Sequence, residues 1–152
     1  MADVYALDTN IYIKALRDER QLAILKRFLI RTGTRLRVNS VVALELRGGA
    51  KLDAQAAAVE ALVKPYAERE RVVVPTFEAF LQAGRVLSSL SVRERVVLAD
   101  APRSLVNDAL IATSCREGDV VLVTENVRDF TAIRRHLRGF RFVDATVLAA
   151  AS

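Results

Sequence analysis

Short apolar runs alternate along this chain with segments of helical period, the order expected of βαβ units on a parallel sheet. Val4–Leu7, Leu36–Val38, Val72–Val74, Val120–Val123 and Phe140–Val143 read as strands. The helical period predicts helices over 10–17, 20–31, 40–48, 53–67, 77–90, 104–116 and 127–137. Gly48 and Gly49 stop the third of these helices. Thr76, after Pro75, is placed to cap the fifth, with Glu78 in its first turn. Phe77, Phe80, Leu81, Leu87 and Leu90 follow the helical period and are expected in the core. The pattern assigns no element to residues 91–103. No linker, repeat or low-complexity tract interrupts the order, so the expectation is one α/β domain over residues 1–152 with a mostly parallel sheet.

Composition narrows the class. A chain of 152 residues, 52% apolar and 27% charged, has the balance of a soluble globular domain. A domain of that length buries about 68–70% of its unfolded surface and needs no disulfide or structural metal to fold. The longest uncharged run, residues 145–152, is far short of the ~20 residues that span a bilayer. Acids at Asp3 and Asp8 interrupt any basic, then apolar, leader pattern. The lone Cys115 has no internal partner, which fits a reducing compartment. A cytoplasmic protein without membrane contact is expected.

Charge adds a direction. Lys and Arg total 23 against 18 Asp and Glu, for a net charge of +5, and 19 of the bases are Arg. The planar guanidinium matches phosphate, so the excess suggests an anionic polymer as partner. A GC-rich coding bias with a solvated surface accounts for the same excess equally well.

Three carboxylates stand where folding alone would place apolar side chains. Asp8 follows Val4 and Ala6 on one face of the first strand, at its carboxyl end, where open α/β sheets bind ligands. Glu45 lies on the helix stripe of Val41 and Val42. Asp108 shares a face with Leu105, Ile111, Ala112 and Cys115. Singly, each has a plainer role: Asp8 as a helix cap beside Thr9 and Asn10, Glu45 paired with Arg47, Asp108 in a salt bridge. As a set, converging acids raise one another's pKa unless a divalent cation holds them. The run LVTENVRDF at 122–130 adds Asn126 and Asp129 as oxygen donors. Oxygen ligands without a His or Cys cluster select Mg²⁺ or Mn²⁺ and exclude zinc. Cys115 reads as a small core residue and His136 as a surface residue of a basic helix.

The runs YALDTNIYI at 5–13, SVVALEL at 40–46, NDALIA at 107–112 and VLVTENVRDF at 121–130 together resemble the signature of the PIN domain. Within that family they look most like the VapC toxins, ribonucleases of toxin–antitoxin pairs. The resemblance implies a three-layer α/β/α fold with a roughly five-stranded sheet. It implies Asp8, Glu45 and Asp108 as acidic metal ligands, with the fourth position in TENVRD falling on Asn126 or Asp129. It further implies an RNA substrate, a homodimer and an inhibitory VapB-type antitoxin.

On this reading the catalytic set is Asp8, Glu45, Asp108 and Asp129, joined as metal ligands by Asn126. Thr9, Asn10, Ser40 and Thr124 are short polar side chains suited to orienting the acids. The basic stretches 14–37 and 128–141 would attract an RNA backbone. Two other classes compete. A haloacid-dehalogenase-type phosphotransferase also begins with an acid after its first strand, but needs D-x-D where this chain has Asn10. A PIN-like module that binds RNA without cutting it is favoured by Asn126 and opposed by the three retained acids. Which RNA is cut, which antitoxin binds, and whether one or two ions are held lie beyond the sequence.

Overall fold

The computed structural model describes residues 2–93 and 103–150. Strand β1 (Val4–Leu7) is followed by helices α1 (Thr9–Arg17) and α2 (Glu19–Thr32), then β2 (Leu36–Asn39). Helices α3 (Ser40–Gly49) and α4 (Asp53–Glu68) lead to the two-residue β3 (Val72–Val73). Helices α5 (Phe77–Arg93) and α6 (Arg103–Glu117) precede β4 (Val120–Thr124), α7 (Val127–Arg134) and β5 (Phe142–Asp144). The strands form one sheet in the order β3-β2-β1-β4-β5, and every pairing is parallel. Among the described residues, seven α-helices and five parallel strands make the expected α/β fold.

Strand β4 shows why the apolar runs are short and continuous. Val120–Thr124 is buried at every residue, as a parallel strand covered on both faces must be. It pairs with β1 in a register that sets Leu7 opposite Val123. The chain passes from β1 outward to β2 and β3, then returns to the other side of β1 with β4. The switch point therefore lies between β1 and β4, and the carboxyl ends of those strands frame a cleft. Asp8 N donates to Val123 O at 2.9 Å across it.

Several element edges depart from the sequence pattern. Strand β5 begins at Phe142, not Phe140, because Phe140 is buried in a cluster with Phe130 and Phe142, 6.0 and 5.7 Å away between ring centroids. Gly139, at φ 87°, supplies the left-handed turn that aims it there. Helix α7 stops at Arg134, and tight turns follow, with His136 N donating to Ile133 O at 3.0 Å. His136 is thus half-buried beyond the helix rather than a surface residue within it. Helix α3 runs through both Gly48 and Gly49 before it ends. Thr76 does cap α5, its hydroxyl accepting from Ala79 N at 3.2 Å. Residues 91–93 complete α5 and Arg103 opens α6; the rest of the unassigned stretch lies outside the described residues.

The largest correction concerns α5. Leu87 and Leu90 are buried, but Phe77, Phe80 and Leu81 are 78, 54 and 43% exposed. The buried stripe is Ala79, Ala83, Val86 and Leu90. Helix α5 packs on α6 through Ala83 and Leu87 against Ala109, a face that leaves Phe77, Phe80 and Leu81 outside.

Candidate active site

Each acid reaches the cleft on a different element. Asp8 is the residue after β1 and the N-cap of α1: its Oδ1 accepts from Thr9 N at 2.8 Å. The cap and the site are therefore the same carboxylate, because the helix that must be capped starts at the sheet edge. Its other oxygen, Oδ2, accepts from the Thr124 hydroxyl at 2.6 Å. Glu45, half-buried on α3, accepts at Oε1 from the Thr9 hydroxyl at 2.7 Å. Arg47, its alternative partner, pairs with Glu60 instead at 2.8 Å.

Asp108 comes from α6 and is only 6% exposed, as is Asp8. Asn126 Nδ2 donates to Asp108 Oδ2 at 3.2 Å and to Asp129 Oδ2 at 3.0 Å. Asn126 N in turn donates to Thr124 Oγ1 at 3.0 Å. One chain of hydrogen bonds thus runs Asp8–Thr124–Asn126–Asp108, with Asp129 attached and Glu45 linked through Thr9. Asn126 also caps α7, accepting from Asp129 N at 3.4 Å. Asn10 faces solvent on α1, and Ser40 is half-buried at the start of α3; neither takes part in this chain among the described residues.

The charges crowd. Burial pushes the Asp108 carboxyl up to about 8, and Asp8, Glu45 and Asp129 push it the same way, against the Asn126 hydrogen bond. Burial also raises Asp8, and Glu125 adds to the rise, while Thr124 and Thr9 oppose it. Among the described residues Asp108 has no cationic partner. The donors are all oxygen, with an excess of negative charge, which suits a hard divalent ion in chemistry and charge. In this arrangement Thr124 holds Asp8, Thr9 holds Glu45, and the Asn126 amide is shared by Asp108 and Asp129. No three acidic, His or Cys side chains among the described residues share one point that could hold an ion.

Two residues carry weight that their place in the sequence does not announce. Asn39, fully buried at the end of β2, accepts from Val41 N at 3.0 Å and caps α3. Its amide donates to Ser114 Oγ at 2.8 Å and to Cys115 Sγ at 3.6 Å, tying α3 to α6 below the acids. Burial pushes the Cys115 thiol up to about 12, so it is an inert core residue. The other is Glu125, which stands between Thr124 and Asn126 and pairs with Lys14 at 2.7 Å. Its only signal in the sequence is its presence in the TENVRD segment.

Residues 5–136 match the model of the PIN domain. The chain belongs to the PIN domain family. That assignment, to a family of nucleases that generally use divalent metals, displaces the phosphotransferase alternative. The PIN fold is shared with DNA-bound VapBC from Salmonella typhimurium at 23% identity and a TM-score of 0.69, covering 95% of this chain and 99% of that one. VapBC-1 from nontypeable Haemophilus influenzae matches at 25% identity and a TM-score of 0.66, over 94% and 98%. FitAcB from Neisseria gonorrhoeae matches at 15% identity and 0.65, over 94% and 99%. The curated proteins give no match. No helix of the PIN domain, among the described residues, is long and apolar enough to cross a membrane.

Proposed function

We propose that this PIN domain is a metal-dependent endoribonuclease, the VapC-like toxin of a VapBC-type toxin–antitoxin pair. The observation that carries the reading is Asp108. It is a carboxyl raised to about 8 first by burial and then by Asp8, Glu45 and Asp129, with no cation beside it among the described residues. A bound divalent cation would favour the charged form that burial and the neighbouring acids disfavour.

Asp8, Glu45, Asp108 and Asp129, with Asn126, would hold Mg²⁺ or Mn²⁺. When bound, the ion supplies Lewis acidity toward a phosphate oxygen and a lowered pKa for water. The chain's own groups do the rest. Thr124 fixes the rotamer of Asp8, Thr9 fixes Glu45, and Asn126 holds Asp108 and Asp129 together. Glu45, whose Oε1 accepts from the Thr9 hydroxyl, would orient the attacking water.

Two partners accompany the reading. A groove of about 380 Å³ between α1, α3 and α4, walled by Leu16, Leu46, Ala54, Ala58 and Val59, has Glu45 on its rim. An antitoxin segment seated there would lie against Glu45. The exposed Phe77, Phe80 and Leu81 support a homodimer through α5. The FitAcB and VapBC neighbours favour the antitoxin.

The test is cleavage of single-stranded RNA with Mg²⁺, with Mn²⁺ and with EDTA, beside a phosphate monoester as control. RNA should be cut only with metal, the monoester not at all, and Asp108→Asn should lower the rate by about a hundredfold or more. Equal cutting in EDTA, or by the variant, would overturn the reading.

A further inference from the structure

Lys14 lies on the exposed stripe of α1 that begins at Asn10, two residues after Asp8, and continues to Arg17. Its Nζ is 2.7 Å from Oε2 and 2.8 Å from Oε1 of Glu125. The two residues bracketing Glu125 connect the acid cluster: Thr124 donates to Asp8 Oδ2, and Asn126 to Asp108 Oδ2. The ion pair therefore sets a cation on the rim of a site whose acids are held without it.

The pair is also easy to exchange. Its side chains are 54 and 36% exposed, and exposed pairs of this kind contribute about 0–1 kcal/mol. A phosphodiester approaching the acids brings more negative charge to a negative region, and a rim lysine offsets it. A compact ammonium with three donors on a flexible stem can move from a carboxylate oxygen to a phosphate oxygen without displacing the helix.

Resting on the ribonuclease reading above, we propose that Lys14 is a positioning residue for the RNA backbone. It exchanges Glu125 for a phosphate oxygen flanking the scissile bond, and Glu125 keeps it extended over the site when no RNA is bound. A lysine acting only as a strap between α1 and the loop after β4 would behave differently. Loss of either partner of a strap has the same consequence. Loss of Lys14 and loss of Glu125 have opposite consequences if the lysine serves RNA.

The experiment measures binding of a fluorescent single-stranded RNA oligonucleotide to the full chain in EDTA across a salt series, with kcat and KM in Mg²⁺. Lys14→Gln should weaken binding about five- to tenfold and lower the slope of log Kd against log salt by about 0.7, one phosphate contact on a single strand. Its KM should rise by the same factor while kcat stays within about twofold. Lys14→Arg should restore affinity, and Glu125→Gln should tighten binding about two- to threefold by removing a competing charge. Thermal melting of each variant checks folding. Shifts of Lys14→Gln and Glu125→Gln in the same direction, or an unchanged salt slope, would overturn the proposal. A parent chain that binds RNA but never cuts it sinks the ribonuclease reading while the two variants still decide the role of Lys14. A parent that binds no RNA sinks both.

Discussion

Helices α5 and α6 pack on each other, yet they depart from simple amphipathicity in opposite ways. Helix α5 has a strong apolar period, and its largest apolar side chains, Phe77 and Phe80, face solvent. Helix α6 is enclosed by β2, β4, α5 and α7, so Ile111, Ala112, Thr113, Ser114 and Cys115 are all buried, and among them sits Asp108. The two anomalies are not equal. An exposed phenylalanine forgoes burial and costs little in a monomer, whereas a buried carboxylate loses hydration and must recover it. The difference teaches that an acid inside α6 is a stronger pointer to function than aromatic rings outside α5.

That contrast can be broken at three points. The largest loss of stability should come from Leu90→Ala in α5, which empties a fully buried position and should cost about 2–5 kcal/mol in chemical denaturation. A cost under about 1 kcal/mol would mean that the inner stripe of α5 is not core.

The second concerns Asp108 and pH. Folded and free of metal, this carboxyl keeps its proton up to about 8, whereas in the unfolded chain it loses it near its ordinary 3.8. The folded state binds the extra proton between those values. Its contribution is fully present below about pH 4 and is lost as pH rises toward 8, by at most about 1.4 kcal/mol per unit. Asp108→Asn removes that dependence. In EDTA its Tm should match the parent near pH 4 and exceed it by a growing margin up to about pH 8. A variant that melts earlier than the parent at pH 9 would assign Asp108 a structural partner instead.

The smallest effect belongs to the exposed face. Phe80→Ser should change the stability of the monomer by no more than about 0.5 kcal/mol. If α5 joins two copies, the same change should shift sedimentation toward monomer. A loss of several kcal/mol in dilute protein would place Phe80 in the core after all.

Most of the fold was legible because local rules and tertiary needs agree. The runs at β1 and β4 are continuous since both faces of a parallel sheet are covered, and Thr76 reads as a cap because its hydroxyl satisfies Ala79 N. The misplacements share one cause. Periodicity leaves open which of two adjoining stripes meets the neighbouring helix, and α5 turns Ala83 and Leu87 toward α6 rather than Phe77 and Phe80. For the same reason Phe140 looks like strand and is instead a turn residue locked among other rings.

The sequence by itself determined the order of strands and helices, the family, and the oxygen character of the donors in Asp8, Glu45, Asp108 and the TENVRD segment. These rest on residue type and spacing, which the chain carries whether folded or not. Only the tertiary structure decided which hydroxyl holds which acid, that Asn126 joins Asp108 to Asp129, that Asn39 ties α3 to α6, and that Lys14 meets Glu125 across 111 residues. Such contacts depend on the sheet order, which sets β1 beside β4 and so brings residues distant along the chain within hydrogen-bond reach.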